Sequence, residues 1–283
     1  MIIQVHQVQY TYSDGTKALE GVDLEIPRGQ FTILLGPNGS GKTTFFKVIT
    51  GLLNPEQGDI KIEGRPFREF SREELYRRIG FVFQDPNDQL FAPTVGDDVA
   101  FGPINLKMTS DEVSQRVRES LEMVGIPHLK NKPVHYLSYG QKKRAAIAGV
   151  LAMKPDIIIL DEPTAGLDPA GVREIMELLV KLNKKEGITI LMATHDVDLV
   201  PLYADRIFIL HMGHILLAGT PAEVFSRKET VRGAQLRLPR VAHLAEILAK
   251  RDHMAVAELP LTIGEARKMI LANVNGDVNA YGS

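Results

Sequence analysis

The 283-residue chain contains no cysteine, and this absence excludes several kinds of site. Without cysteine the chain has no disulfide bond, thiolate zinc site, iron–sulfur cluster or cysteine nucleophile. Charge of one sign is not in excess either, because 33 basic and 35 acidic residues give a formal net charge of −2. A general nucleic-acid binder needs a basic excess or a basic stripe, so we expect no nucleic-acid partner.

Long apolar segments are also missing. The longest apolar run, residues 145–153, is nine residues long, whereas a membrane-spanning helix needs roughly 20. The first residues, MIIQVHQVQY, lack the basic start, apolar core and cleavage site of a secretory signal. We therefore expect any attachment to a membrane to depend on another chain.

Short apolar runs alternate with helical patterns along most of the chain. The runs typical of buried parallel strands are residues 30–35, 79–83, 156–160, 188–192 and 206–210. Near the N-terminus, residues 2–10 and 22–26 alternate polar and apolar side chains, as half-exposed antiparallel strands do. This order predicts an α/β fold with a largely parallel sheet flanked by helices.

The segment between Asp97 and Met153 has helical signals and no convincing strand. Ser110 is positioned to cap a helix that Gly125 ends. The apolar residues on one face of that helix are Val113, Val117, Leu121 and Val124. We therefore expect a helical subdomain inserted at about residues 86–154.

The remaining organisation is a core domain followed by an extension. We expect one core domain over residues 1–220, with the helical subdomain inserted in it, and a small, mostly helical extension over residues 221–283. Helical spacing in the extension is shown by Val241, Leu244, Ile247 and Leu248. Its last residues, from Asn273, are rich in Asn and Gly, which predicts a frayed tail.

A phosphate-binding loop follows the first predicted parallel strand. The segment GPNGSGKT matches G-x-x-x-x-G-K-[ST], in which glycines let backbone N–H groups point at phosphate oxygens. Lys42 would reach the β- and γ-phosphates, and the Thr43 hydroxyl would ligate Mg²⁺. A glycine-rich turn is the alternative, but the strand before and the helix after favour a nucleotide site. The nucleotide-binding residues predicted here are Gly36, Pro37, Asn38, Gly39, Ser40, Gly41, Lys42, Thr43 and Thr44.

Two carboxylates follow the apolar run IIIL. A buried strand that ends in Asp161 and Glu162 places both at the carboxyl edge of the sheet, where ligands of α/β proteins bind. Asp161 is suited to hold Mg²⁺, and Glu162 is suited to act as base for an attacking water. Alone this pattern is weak, but downstream of a phosphate loop it indicates nucleotide hydrolysis.

A second helix N-terminus carries the string LSYGQ. Ser138 has the features of an N-cap, which would expose backbone N–H groups able to bind an anion. Lys142, Lys143 and Arg144 follow, and basic residues at the start of a helix oppose its dipole. A plain cap is the alternative. Two helix N-termini that are able to bind phosphate need an explanation, because one nucleotide carries only one triphosphate.

The ordered motifs resemble those of ABC-type ATPases over about residues 2–224. LSYGQ is similar to the family's signature motif, Gln84 to its Q-loop residue, and residues 165–168 (AGLD) to its D-loop. His195 resembles the switch histidine, and Tyr12 the aromatic residue that stacks on adenine. The resemblance implies a P-loop NTPase core of RecA-like fold. It also implies two cassettes paired head to tail, as a homodimer or a heterodimer.

The resemblance implies a division of labour in ATP hydrolysis. Ser138, Gly140 and Gln141 would complete the nucleotide site of the opposite cassette. Glu162 would activate water, and His195 would orient Glu162 and the γ-phosphate. The residues implied to hold Mg²⁺ are Thr43, Gln84 and Asp161. Tyr139 departs from the family pattern, because most members have glycine there.

A narrower resemblance lies in residues 83–103 and in QKKRAAIAG. These segments are similar to ATP-binding subunits of energy-coupling-factor importers, which take up cobalt, nickel or vitamins, and most of all to the cobalt-transport subunits. The resemblance implies integral-membrane and substrate-binding partners, with this chain peripheral on the cytoplasmic face of the cell membrane. Residues 88–95 would hold a partner helix. The alternative is that Leu90 and Phe91 only seal the helical subdomain.

Other classes of function are weaker alternatives. ABC proteins that act on DNA carry a long coiled coil before the signature, and ribosome-acting members carry two cassettes, whereas about one hundred residues separate Gly36 from Leu137 here. A P-loop kinase or GTPase has no role for LSYGQ or His195. The ATPase of a vitamin importer, or of a generic importer or exporter, is the closest alternative. His211 and His214 are interpreted as turn residues and not as metal ligands.

Overall fold

Ten strands form two sheets in the computed structural model, which describes residues 1–280 of the chain. The strands are β1 (Ile3–Thr11), β2 (Lys17–Ile26), β3 (Phe31–Leu35), β4 (Gln57–Ile62), β5 (Arg65–Pro66), β6 (Ile79–Val82), β7 (Ile157–Asp161), β8 (Thr189–Thr194), β9 (Arg206–His211) and β10 (His214–Gly219).

The six-stranded sheet has the order β10-β9-β3-β8-β7-β6. The strands from β9 to β6 pair in parallel, and β10 pairs antiparallel with β9. Every residue of β3, β7 and β8 is buried, because helices cover both faces of a parallel sheet. The predicted α/β fold with a mainly parallel sheet is confirmed.

The four-stranded sheet has the order β2-β1-β4-β5 and is antiparallel. Its register pairs Ile3 with Ile26 on one side and with Ile62 on the other. The buried side chains of this sheet join one face of the parallel sheet in a single apolar core that includes Phe45 and Phe46. The predicted N-terminal antiparallel strands are therefore confirmed.

Helices cover the sheets and extend the chain beyond β10. The helices are α1 (Lys42–Ile49), α2 (Arg72–Arg78), α3 (Val95–Asn105), α4 (Ser110–Met123), α5 (Tyr139–Leu151), α6 (Pro169–Glu186), α7 (Val200–Tyr203), α8 (Pro221–Ser226), α9 (Lys228–Gly233), α10 (Arg240–Arg251) and α11 (Ile263–Ala280). Within residues 1–280, no helix combines the length and the apolarity that crossing a membrane requires.

Helices α3, α4 and α5 lie between β6 and β7, as the predicted insertion does. The predicted N-cap of α4 was wrong by one residue, because Thr109 is the cap and Ser110 is the first helical residue. The Thr109 hydroxyl accepts from the Glu112 backbone, and the Glu112 carboxylate accepts from the Thr109 N–H at 2.8 Å. This reciprocal pair needs Glu or Gln three positions after the cap, whereas the residue three positions after Ser110 is Val113. Gly125 follows the helix with a φ of +77°, in line with the prediction.

The C-terminal extension packs through small side chains. In α10 the buried residues include Ala242 and Ala245, whereas Leu244 is 48% exposed and Ile247 is 37% exposed. Leu244 and Ile247, two of the residues whose spacing predicted the helix, are therefore exposed to solvent. Helix α11 continues to Ala280, so the tail predicted to fray from Asn273 is helical to that point. Residues 281–283 of that predicted tail lie outside the described residues. The domain boundaries stay predictions.

Candidate active site

The predicted site residues follow four strands that are neighbours in the parallel sheet. The phosphate loop follows β3, His195 follows β8, Glu162 follows β7, and Gln84 lies shortly after β6. Because parallel strands end at the same edge, these residues meet at the carboxyl edge of the sheet. The fold thus brings together groups that are far apart in the sequence.

The phosphate loop depends on glycine at two positions. Gly39 has a φ of +78° and Gly41 a φ of +104°, in the left-handed region that favours glycine. A Cβ atom on Gly41 would lie 2.4 Å from the Ala18 carbonyl oxygen. Helix α1 has Gly41 as its N-cap, with no capping side chain and no acidic residue in its first turn. Its free backbone N–H groups fit an anionic phosphate.

Lys42 is held within the loop. Its side chain is 6% exposed, and Nζ donates to the carbonyl oxygens of Gly36 at 2.8 Å and of Pro37 at 3.0 Å. The Glu162 carboxylate lies 3.9 Å from Nζ. Burial lowers the pKa of Lys42, although the charges of Glu162 and Asp161 oppose that shift. A cation that is desolvated and aimed at the loop centre is suited to bind phosphate oxygens.

Thr43 and Asp161 form an oxygen pair beside the loop. The Thr43 hydroxyl donates to the Asp161 carboxylate at 2.6 Å, and Asp161 is 3% exposed. Burial raises the pKa of Asp161, against the hydrogen bond from Thr43, because the charged carboxylate loses water. A hydroxyl and a carboxylate are oxygen ligands of the kind that Mg²⁺ prefers, so the donor set fits that ion.

Glu162 is the other buried carboxylate at this edge. It is 7% exposed, and its Oε2 lies 2.8 Å from Nδ1 of His195. Its backbone has a φ of +45°, a conformation uncommon outside glycine. The side chain of His195 is 58% exposed. The carboxylate is therefore held between Lys42 and a histidine that faces solvent.

Two further predicted residues lie at the rim of the site. Gln84 is exposed just after β6. The Tyr12 hydroxyl lies 2.8 Å from the Thr44 hydroxyl, and its ring is edge-on to Tyr10 at 5.1 Å. This hydrogen bond places the Tyr12 ring beside the first turn of α1, next to the phosphate loop. The role of Tyr12 in stacking on adenine stays a prediction.

The LSYGQ segment begins α5 as predicted. Ser138 is the N-cap: its hydroxyl accepts from the Gln141 N–H at 3.3 Å, and its own N–H donates to the Gln141 side chain at 3.1 Å. Ser138 is exposed, and Gly140 and Gln141 are half-buried. Among the described residues, the hydrogen bonds of Ser138 and Gln141 stay within this turn. An exposed helix N-terminus is open to a ligand brought by another chain.

Tyr139, the departure from the family pattern, packs against its own chain. A Cβ atom on Gly166, in the AGLD segment, would lie 3.0 Å from the Tyr139 ring. Burial and the charge of Asp85 raise the pKa of Tyr139. The side chain thus fills space beside the D-loop segment.

Sequence reasoning missed a buried lysine in the same helix. Lys143 is 0% exposed, and its Nζ donates to the carbonyl oxygens of Gln84 and Glu162. Burial lowers the pKa of Lys143 to about 8, against the charges of nearby carboxylates. One signal was available: Lys143 precedes the buried Ile147 by four residues, so the helical period places it on the buried face.

An apolar groove lies between the helical insertion and the parallel sheet. It has a volume of about 470 Å³. Its lining includes Leu52, Tyr76, Phe81, Phe83, Phe91 and Phe101. The Phe91 and Phe101 rings meet edge to face at 4.7 Å and are 66% and 49% exposed, whereas Leu90 is 8% exposed. Leu90 therefore seals the interior, and Phe91 does not.

A buried carboxylate fixes the loop that carries Phe91. Asp98 is 8% exposed and accepts from the N–H groups of Phe91 at 2.9 Å and Ala92 at 2.8 Å.

His211 ends β9 and His214 begins β10, and Met212 and Gly213 between them both have positive φ. The two histidines thus flank a tight turn between strands centred on Gly213, in line with the prediction.

The site combines a phosphate loop, the carboxylates of Asp161 and Glu162, His195 and the exposed N-terminus of α5. This combination defines a P-loop ATPase of the ABC type. The family profile described as ABC transporter matches residues 19–165. An energy-coupling factor transporter ATP-binding protein, EcfA2 of Clostridium perfringens, is 53% identical over 95% of each chain. The chain therefore belongs to the ABC transporter family, as an ATP-hydrolysing cassette.

Solved structures agree with this assignment. The structure of CbiO1 from Clostridium perfringens, described as part of the ABC transporter complex CbiONQ, has 53% identity and a TM-score of 0.74, covering 87% of this chain and 99% of that chain. A dimeric ATP-binding cassette in a post-hydrolysis state with ADP and phosphate has 33% identity and a TM-score of 0.69, covering 77% and 98%. The fold predicted from the resemblance is confirmed.

Proposed function

We propose that this chain is the ATP-binding and hydrolysing subunit of an energy-coupling-factor importer for cobalt or nickel ions. The observation that supports an energy-coupling-factor transporter is 53% identity to EcfA2 over 95% of the chain and to CbiO1 over 87% of the chain. The choice of cobalt or nickel rests on the resemblance of residues 83–103 and of QKKRAAIAG to the cobalt-transport subunits. The name EcfA2 specifies no substrate, so a vitamin importer is the second candidate. In either case the transported molecule would bind a different subunit.

The chemistry proposed for the site is water activation by Glu162. The buried carboxylate lies 3.9 Å from Nζ of Lys42 and 2.8 Å from Nδ1 of His195. It would take a proton from the water that attacks the γ-phosphate. His195 would hold Glu162 in place and contact the same phosphate. Lys42 and the free N–H groups of α1 would bind the phosphate oxygens.

Mg²⁺ would be held by Thr43 and Asp161, with Gln84 as the third protein ligand. The hydroxyl and the buried carboxylate are already paired at 2.6 Å. Mg²⁺, when bound, supplies positive charge next to the β- and γ-phosphates. Because burial raises the pKa of Asp161, a nearby cation would favour its ionised form.

The second half of the nucleotide site would come from another cassette. Ser138, Gly140 and Gln141 lie at an exposed helix end, and the related cassette with ADP and phosphate is dimeric. A head-to-tail pair would place this end against the phosphates bound by the partner's loop. Binding of two ATP molecules would close the pair, and hydrolysis would reopen it.

The membrane partner would insert a helix into the apolar groove. Phe91 and Phe101 are exposed and give the groove an aromatic surface. Gln89 and Phe91, in the segment that follows Gln84, are among the residues that line the groove. Closure of the cassettes would thereby move the membrane subunits. In this arrangement the chain is peripheral, on the cytoplasmic face of the cell membrane.

The test is to recover the complex from detergent-solubilised native membranes through a tagged chain and to identify its components by mass spectrometry. We expect a stoichiometric multi-span subunit and a small membrane subunit. A Phe91→Asp variant should lose both, and Leu216→Asp, an exposed leucine in β10, should retain them. Recovery of only soluble proteins, ribosomes or DNA would contradict the transport function.

The substrate is tested with the same complex reconstituted in liposomes. ATP should drive uptake of radioactive cobalt or nickel, and a Glu162→Gln complex should show none. Uptake of a vitamin without uptake of either metal would replace the first candidate with the second.

A further inference from the structure

We propose that Lys143 is a positioning residue that holds the Glu162 backbone and the Gln84 segment against the signature helix α5. The proposal rests on the proposed role of Glu162 as the base. Lys143 is fully buried, and its ammonium donates to the carbonyl oxygen of Gln84 and, at 3.4 Å, to that of Glu162. One side chain thus joins the segment after β6, the residue after β7 and the first turns of α5.

The Glu162 backbone is the part that needs support. Its φ of +45° is sparsely populated by residues with a Cβ atom, and such conformations persist where the surroundings hold them. The Glu162 N–H donates to the Ala193 carbonyl, and the Glu162 carbonyl accepts from the Ala165 N–H, both at 3.1 Å. Lys143 adds the side-chain contact to that carbonyl.

The identity of the side chain supports a role beyond packing. A lysine at 0% exposure is rare, because an ammonium group loses its hydration on burial. The Tyr139 ring, at 5.5 Å, and the charges of Asp85, Asp161 and Glu162 compensate in part. An apolar side chain of similar length would fill the same space without that cost. The lysine is explained by what its N–H groups hold.

This arrangement connects the two halves of the nucleotide site. Helix α5 begins with the residues proposed to contact the partner's nucleotide, and its second turn carries Lys143. A shift of α5 would move the Gln84 and Glu162 carbonyls through the same ammonium group. Loss of Lys143 should therefore misplace the Glu162 carboxylate and leave the phosphate loop intact.

The experiment compares Lys143→Met, which removes the donors, with Lys143→Gln, which keeps one amide donor. Turnover is measured as phosphate release by the purified full-length chain, and affinity as the Kd of a non-hydrolysable ATP analogue. For Lys143→Met we expect kcat to fall about 10- to 100-fold with Kd within about two-fold of wild type. Lys143→Gln should recover part of that loss.

Asn183→Leu is the matched control for damage to the fold. Asn183 is 2% exposed, and its amide donates to the carbonyl oxygens of Gly29 at 2.9 Å and of Ile188 at 2.8 Å. These two residues precede β3 and β8, so the contacts lie at the edge of the sheet opposite the nucleotide site. It should lower the Tm and leave kcat unchanged.

Three outcomes would overturn the proposal: wild-type kcat in Lys143→Met, parallel losses of affinity and kcat, or an equal fall of kcat in Asn183→Leu. If Lys143→Met does not fold, Lys143→Gln decides alone: lower kcat at unchanged Kd supports the proposal, and wild-type kcat overturns it. The Glu162→Gln variant distinguishes failure of the proposed base role from failure of the proposed role of Lys143. Full turnover in that variant refutes the base role itself, whereas an inactive Glu162→Gln beside an unaffected Lys143→Met refutes only the role of Lys143.

Discussion

The Nδ1 atom of His195 lies 2.8 Å from Oε2 of Glu162, across the ends of the neighbouring strands β8 and β7. The carboxylate is buried, whereas the histidine side chain is 58% exposed. This separation is short enough for an ion pair when the histidine is protonated. The pair thus links a buried base to a residue on the surface where a second cassette would dock.

Replacing Glu162 with Gln should nearly abolish turnover and leave ATP binding intact. The amide keeps the shape of the side chain but is no base, so we expect kcat to fall at least about 100-fold. Phosphate release and the Kd of ATP measure the two effects. Glu177→Gln, at an exposed position of α6, is the control and should match wild type. Turnover at the wild-type rate in Glu162→Gln would remove this residue from the base role.

Replacing Lys42 with Ala should weaken nucleotide binding itself. The buried ammonium is held at the loop by two carbonyl oxygens. Losing a charge-assisted contact to phosphate should raise the Kd of ATP about 10- to 100-fold. Titration calorimetry with ATP measures this, with the exposed Lys61→Ala as control. An unchanged affinity in Lys42→Ala would argue against the phosphate-loop assignment.

The buried strands and the position of the site at the sheet edge were predictable because their signals are local. Branched apolar runs marked β3, β7 and β8, and the residue types directly after them marked the phosphate loop and Glu162. The N-cap of α5 was likewise predictable from Ser138, and the structure adds the reciprocal bond to Gln141. In each case the pattern lies within a few residues of the structure that it specifies.

Features that depend on packing were not predictable in this way. Lys143 follows LSYGQ within a basic run that resembles a solvated first turn, and only the assembled fold shows that its ammonium reaches two backbone carbonyls. In α10 the spacing of Leu244 and Ile247 predicted a helix but not which face it buries, and the structure buries Ala242 and Ala245 instead. Small side chains let a helix approach the core closely, which a hydrophobic pattern does not reveal.

Replacing Glu246 with Gln should destabilise the C-terminal extension in a pH-dependent way. The hydrogen bond from Arg232 lowers the pKa of Glu246 from 4.5 to about 2, against its burial. A lowered carboxyl pKa stabilises the fold above pH 4.5, and that stability is lost as the pH falls from 4.5 toward 2. We expect a Tm about 2–4 °C lower at pH 7, with a smaller difference from wild type at about pH 4.

The control for the Arg232–Glu246 pair is the Glu229→Gln variant. Glu229 also contacts Arg232, but its side chain is 88% exposed, so its loss should change the Tm little. A difference between Glu246→Gln and wild type that stays constant from pH 7 to about pH 4 would contradict the assigned ionisation.

Mixing two inactive variants should restore turnover if the nucleotide site is shared between cassettes. Lys42→Ala disables the phosphate loop, and Ser138→Arg disables the helix end that would contact the partner's nucleotide. In a mixed homodimer one composite site carries both substitutions and the other carries neither. Random mixing should therefore give about one quarter of wild-type turnover when the sites act independently. Each variant alone, at the same total concentration, is the control. No recovery on mixing, with both variants folded and dimeric, would mean that Lys42 and Ser138 act within one chain.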